Sequence, residues 1–234
     1  MEWAYGITTV PERWDNLLVS SMASLAKAGF DRPHLFIDGE VRTQPDNSTQ
    51  RRPRVGGWGN WALALAELWA RNPKAERLAI FEDDILAVRN LRAYLERCPW
   101  PGKKSWLNLY TIKSNQNAIA AGGPGWHLSN QRGYGAVGLV FDRAAAEAVL
   151  VGLASMANRT VGKVRTSIDA AILVVLRKAE FQEWVHMPSL LQHVGEYSVL
   201  RKKRYAPECW FLTAPSFPGE SFDAMEGLCP ACKT

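Results

Sequence analysis

Residues 79–88 read AIFEDDILAV, with Glu82, Asp83 and Asp84 side by side in an otherwise apolar run. Adjacent carboxylates repel one another unless a cation neutralises them, and hard divalent ions such as manganese and magnesium take carboxylate oxygens readily. On a strand alternate side chains point the same way, so Glu82 and Asp84 are expected to address one ion while Asp83 faces the other side. The plainer alternative is a solvated strand end whose acids cap a following helix. His193 is a further candidate ligand. It follows PSLLQ and precedes Gly195, where a strand gives way to a loop and an imidazole can complete a metal shell with Asp84.

The elements that must position these groups alternate along the chain. WAYGIT (3–8) reads as a strand, 16–28 as a helix with Leu17, Leu18, Met22, Leu25 and Ala26 at helical spacing, and HLFID (34–38) as a second strand. Residues 40–53 are polar and proline-containing, without apolar period, and are expected to be a loop. A helix is expected from about Asn60 to Arg71, followed by a strand over 77–84 whose nearly continuous apolar run fits a position covered on both faces. This β-α-β-α-β order predicts an α/β fold with a mainly parallel central sheet flanked by helices. Ligands in such sheets collect outside the carboxyl ends of the strands, which is where the acidic triplet would lie.

Composition narrows the classes. The chain has 234 residues, 47% of them hydrophobic, and a net charge of +5, which describes a globular protein rather than a disordered or fibrous one. One domain over 1–204 is expected, with a tail over 205–234 packed on it. No run approaches the roughly 18 apolar residues of a membrane span, and MEWAYGITTV reads as a first strand rather than a secretory leader, so a cytoplasmic location is expected. Four cysteines, at 98, 209, 229 and 232, are too few for a disulfide scaffold. Cys229 and Cys232 form a CxxC that could hold zinc with Cys209 and a fourth group, or be an exposed reduced tail.

FEDDI after an apolar strand, preceded by the GNWALALAELW helix, resembles the DxD-type motif of nucleotide-sugar glycosyltransferases of the GT-A (Rossmann-like) fold. GITTVPER at the start is similar to their first strand and nucleotide-gripping loop. GYGAVGLVFDRAAAEAVL (133–150) is similar to their small-residue strand beside the donor sugar, and VHMPSLLQHVGEYSVL (185–200) to the late strand and loop that bears a metal-facing histidine in several of these families. Glu82 stands where aspartate is commoner.

The resemblance implies a metal-dependent transferase moving a hexose, expected to be glucose, from a UDP-sugar, with Mn2+ or Mg2+ held by Asp84, His193 and Glu82. Glu82 would reach the ribose or a metal-bound water, and Asp83 would belong to the same donor site. Thr8, Thr9 and Pro11 would shape the loop around base and ribose, and Arg13 would grip the phosphates. Asp38 would meet the uracil or ribose, or else serve as a turn residue. Asn60 would hydrogen-bond the donor, or cap the helix expected to begin there. Asp169, at the start of DAAILVVLRKA, would be the acceptor-side base, or would stabilise its helix through the dipole. Trp58 and Trp126 in glycine-rich turns could stack on a ring, and His127 could line the acceptor opening.

The acceptor is read either as a glycan or protein, or as a hydroxymethylated base in phage-type DNA. The second option draws on the basic runs QRRPR (50–54) and RKKR (201–204). A metal-dependent phosphohydrolase and a non-catalytic nucleic-acid-binding module are the alternatives of other classes.

Overall fold

The computed structural model describes residues 1–119, 123–159, 167–195, 197–198, 203–204 and 213–228. The chain opens with β1 (Trp3–Thr9), a 3-10 turn over Pro11–Arg13, a turn of π-helix over Trp14–Leu18, and α1 (Val19–Lys27). β2 (His34–Ile37), β3 (Ser48–Gln50), α2 (Gly56–Arg71) and β4 (Arg77–Glu82) follow. Next come β5 (Ile85–Ala87), α3 (Leu91–Arg97), β6 (Ser105–Asn108), α4 (Lys113–Ile119), β7 (Gly125–Leu128) and β8 (Gly138–Asp142). The described chain ends with α5 (Arg143–Arg159), α6 (Ile168–Lys178), β9 (Gln182–Met187), β10 (Leu191–His193), the short β11 (Tyr197–Ser198) and β12 (Lys203–Arg204), and α7 (Ala224–Leu228).

Eight strands form one sheet in the order β3-β2-β1-β4-β8-β6-β9-β7. β1 to β4 run parallel; β8 is antiparallel to both β4 and β6, β9 is parallel to β6, and β7 closes the far edge antiparallel to β9. The result is an α/β fold with a mainly parallel sheet covered on both faces. In β4, Ala79 and Phe81 pack with Leu25, Leu91 and Tyr94 in one layer, while Leu78 and Ile80 pack with Leu65, Val149 and Ile172 in the other. Both faces of the strand are therefore dry, which is why its sequence reads as a continuous apolar run.

Several boundaries differ from the sequence reading. The expected loop over 40–53 contains β3, an edge strand of Ser48, Thr49 and Gln50 that is half-buried along its length and so carries no apolar period. α2 starts at Gly56 rather than near Asn60, because the three glycines at 56, 57 and 59 fall in its first turn, where the backbone amides have no intrahelical partner to lose. Asn60 is thus inside the helix and does not cap it. The strand expected to reach residue 84 ends at Glu82, and Asp83 and Asp84 form a bend before β5.

Residues 213–228 lie against the α3 side. Asp223 accepts hydrogen bonds from Arg89 Nε (3.2 Å) and Asn90 Nδ2 (2.7 Å), and Ala214 and Ala224 are buried. Cys209, Cys229 and Cys232 lie outside the described residues, as do Arg201 and Lys202 of the basic run 201–204. Among the described residues no helix is long and apolar enough to cross a membrane.

The β9 end is pinned by His186. Its Nδ1 lies 2.7 Å from Pro188 O, which can only accept, so the proton sits on Nδ1, and Nε2 accepts from Tyr94 OH at 2.7 Å. Burial holds this imidazole neutral by pushing its pKa down to about 4. An unfolded histidine takes up its proton near pH 6.5. The stabilisation is therefore complete above that value and is lost as the pH falls towards 4. His186→Phe is expected to flatten the decline in unfolding free energy between these pH values by roughly 3 kcal/mol relative to wild type. Urea denaturation across the range checks this.

Candidate active site

The acidic triplet sits at the carboxyl end of β4, beside the end of β1 and beside β10. β10 returns against β5 with His193 paired to Ile85, and Val194 N donates to Asp84 O at 2.8 Å, so backbone pairing alone sets His193 next to Asp84. One ligand atom each from Glu82, Asp84 and His193 falls within 4.8 Å of the others. His193 Nε2 is 3.1 Å from Asp84 Oδ2. Asp84 Oδ1 and His193 Nδ1 are both buried without a hydrogen-bond partner among the described residues. Unsatisfied buried polar atoms are costly and uncommon. Two of them belong to this cluster of two carboxylates and one imidazole, a donor set that fits a divalent cation.

Asp83 serves a different purpose. Its Oδ2 accepts from Thr9 Oγ1 at 2.6 Å and its Oδ1 from Arg13 Nη1 at 2.5 Å, while the same Nη1 lies 2.7 Å from Asp84 Oδ2. Ser21 Oγ donates to Asp83 O and accepts from Ile85 N, which holds the bend on α1. Gly195 permits the close approach of the 194–195 backbone, since a Cβ there would stand 2.2 Å from Asp84 Oδ2.

Charge crowding shifts the carboxyl groups in different directions. Burial, followed by repulsion from Asp84, pushes Glu82 up to about 8, and burial and Asp84 likewise raise Asp83. Burial would raise Asp84 too, but the hydrogen bond and charge of His193 and the Arg13 guanidinium outweigh it and hold the carboxyl low. His193 is raised because its bond to Asp84 and the charges of Asp84 and Glu82 outweigh its burial. The Tyr110 ring, 6.5 Å from that of His193, is held protonated by burial and by the charges of Asp84 and Glu82.

The other expected residues divide into two groups. Thr8 Oγ1 donates to Phe81 O at 3.3 Å, and Thr9, Pro11 and Arg13 lie on the β1 end and the turn after it, so these stand at the triplet. Asp169 stands in the first turn of α6 and is linked to β4 through the 135–137 backbone. Its Oδ2 accepts from Gly135 N at 3.0 Å, Gly135 packs on the Tyr110 ring, and Val137 O accepts from Glu82 N at 2.9 Å.

Asp38 and Asn60 are turned to structural partners. Asp38 is 3% exposed and its Oδ1 accepts from Val55 N, the residue before α2, at 2.7 Å. Asn60 is 2% exposed, donates to Phe36 O at 2.8 Å and accepts from Arg51 Nε at 3.3 Å. Trp126 stands edge-on to the His186 ring, and Trp58 is half-buried on the α2 layer. His127 lies on β7, with β9, β6 and β8 between it and β4, and its Nε2 is 2.8 Å from Gly123 O. The basic run 50–54 is paired with acids: Arg51 with Glu67, Arg52 with Glu40 and Arg54 with Glu12.

Sequence reasoning missed Tyr110, Asn108, Ser129 and Glu183. The only cue was an acid, Glu183, inside the apolar strand FQEWVHM.

No family model matches this chain, and no curated protein matches it. Solved structures similar to it include the catalytic domain of Drosophila β1,4-galactosyltransferase 7 in complex with xylobiose, at 11% identity and TM-score 0.48, covering 89% of this chain and 76% of that one. A mutant of the same Drosophila enzyme in complex with manganese, UDP-Gal and xylobiose is similar at 14% identity and TM-score 0.45, with the same coverage of 89% and 76%. The apo-form glycosyltransferase GlyE of Streptococcus pneumoniae TIGR4 is similar at 12% identity and TM-score 0.42, covering 78% of this chain and 45% of that one. Likenesses at this level assign no function, which rests on the side chains themselves.

Arg13 is the guanidinium that both Asp83 and Asp84 contact, and its side chain is 17% exposed. Removing one partner from such a group leaves buried charge uncompensated, a loss of about 3–5 kcal/mol. Arg13→Met is therefore expected to lower the unfolding free energy by about that amount without metal, read by urea titration. Millimolar Mn2+ should recover part of the loss.

Proposed function

We propose that this chain is a metal-dependent glycosyltransferase of the GT-A type, moving a hexose, read as glucose, from a UDP-sugar to an acceptor hydroxyl. The observation that carries the reading is the convergence of Glu82, Asp84 and His193 at the carboxyl edge of parallel strands, with Asp84 Oδ1 and His193 Nδ1 both buried and unpartnered. These three residues would hold the cation, and the mixed oxygen and nitrogen donors suit manganese ahead of magnesium. Such an ion, when bound, supplies Lewis-acid neutralisation of the charge that develops on a departing diphosphate.

The chain's own groups do the rest. Arg13, already beside two carboxylates, offers a guanidinium fork to phosphate oxygens. Thr9 and Asp83 fix that arginine and the β1 loop in place. Asp169, whose Oδ2 accepts from the Gly135 amide, is the candidate to take the proton from the acceptor hydroxyl, which makes the reaction inverting. Tyr110, buried and kept protonated, lies beside both the His193 ring and Gly135.

A glycan or protein acceptor is favoured over DNA, because each arginine of the 50–54 run is already paired with a carboxylate and a neutralised run attracts phosphate weakly. A phosphohydrolase reading has less support. Among the described residues only one group of three metal-ligating side chains comes together, whereas hydrolases of that kind use a more crowded site.

A nucleotide-sugar panel with Mn2+, assayed for released nucleotide, tests the proposal. Slow hydrolysis of UDP-glucose that requires the metal is expected, abolished in Asp84→Asn. Transfer to an acceptor identified by mass spectrometry should fall about 10²–10⁴-fold in Asp169→Asn, with UDP binding unchanged. Turnover that ignores metal, or tight DNA binding that ignores both metal and donor, would contradict the reading.

A further inference from the structure

Glu183 is an ionisable side chain on β9, one strand in from the sheet edge, 1% exposed, and plays no part in the chemistry described above. Its Oε1 accepts from Asn108 Nδ2 at 2.9 Å and its Oε2 from Ser129 Oγ at 2.6 Å. The Asn108 Nδ2 group also donates to Tyr134 O at 3.1 Å, and Asn108 Oδ1 accepts from Tyr110 N at 3.1 Å. Ser129 Oγ in turn accepts from Gln131 N and Nε2, each at 2.9 Å, so the hydroxyl proton is left to point at Glu183. Gln131 Nε2 also lies 2.9 Å from Glu183 O, and Gln131 adopts a left-handed backbone with φ 56. A non-glycine residue held there is strained and persists only where its surroundings over-determine it.

Both carboxylate oxygens thus face donors that have no other role for their protons at this point. A carboxylate meets this demand and an amide does not, since the NH2 of glutamine would confront either the Asn108 amide or the Ser129 hydroxyl. The segment so anchored runs from Ser129 to Val137. It ends at the cluster through Gly135 N on Asp169, Gly135 against the Tyr110 ring, and Val137 O on Glu82 N, and it presents Tyr134 with 39% of its surface exposed.

We propose that Glu183 is a positioning residue. Through Asn108 and Ser129 it fixes the 129–137 segment, and so sets where the Asp169 carboxylate and the Tyr134 ring stand relative to Glu82. The proposal rests on the transferase reading for its consequence in rate, but not for its consequence in loop order. A merely structural polar group in the core would loosen the whole sheet when altered, whereas a positioning residue loosens one segment and slows one step.

The test pairs hydrogen exchange with kinetics on Glu183→Gln in the full chain. Amides of 129–137 are expected to exchange about tenfold faster, the scale of one lost charge-assisted hydrogen bond, while β1 and β4 amides stay as in wild type. The UDP–Mn2+ dissociation constant and donor KM are expected within about twofold of wild type, and kcat about tenfold lower. Ser129→Ala, which removes one donor and leaves the carboxylate, should give the same local loosening if Glu183→Gln proves insoluble. Unchanged exchange in 129–137, faster exchange spread over the whole sheet, or a loosened segment with normal kcat overturns the proposal. If wild-type protein turns over no sugar nucleotide, the transferase reading fails separately, and the exchange data alone decide whether Glu183 holds the segment.

Discussion

The site is built around a concentration of like charge at the edge of a hydrophobic core. Glu82 closes β4, whose preceding residues are buried on both faces, and Asp83 and Asp84 follow at 2% and 1% exposure. Carboxylates withdrawn from water and from each other's tolerance must be compensated locally. The compensation comes from two directions. Arg13, on the turn after β1, spans Asp83 and Asp84, while His193, on β10, meets Asp84 from the opposite element.

This requirement explains much of the local architecture. The Ser21 hydroxyl on α1 takes the place of a ladder partner for the bend, Thr9 turns its hydroxyl to Asp83, and the β5–β10 pairing brings a histidine from late in the chain beside Asp84. Gly195 leaves room for the carboxylate that the next turn must pass. The triplet divides its labour: Asp83 ties the β1 loop through Thr9 and Arg13, while Glu82 and Asp84 share the space with the imidazole.

The sheet was legible because its signals are strong where burial is two-sided. The continuous run at 77–81 marked a strand covered on both faces, and the helical spacing around Leu65 and Leu68 marked α2. Edge and polar features were not legible. β3 consists of Ser48, Thr49 and Gln50 and has no apolar face to show. Asp38 and Asn60 carry side chains suited to a ligand, but the amide preceding α2 and a strand carbonyl engage them. The pairing of His193 with Ile85 depends on strands that meet only in three dimensions, and the hub at Glu183 shows in the sequence only as an acid inside an apolar strand.

On the proposed reading, the triplet, the Arg13 turn and the 129–137 segment would be placed around one cation. An anomalous difference map from a crystal soaked in manganese chloride and UDP examines that placement directly. A single strong peak bonded to Asp84, His193 and Glu82, with the diphosphate completing its shell, is the expected result. A peak elsewhere, or none while UDP is bound, would contradict it.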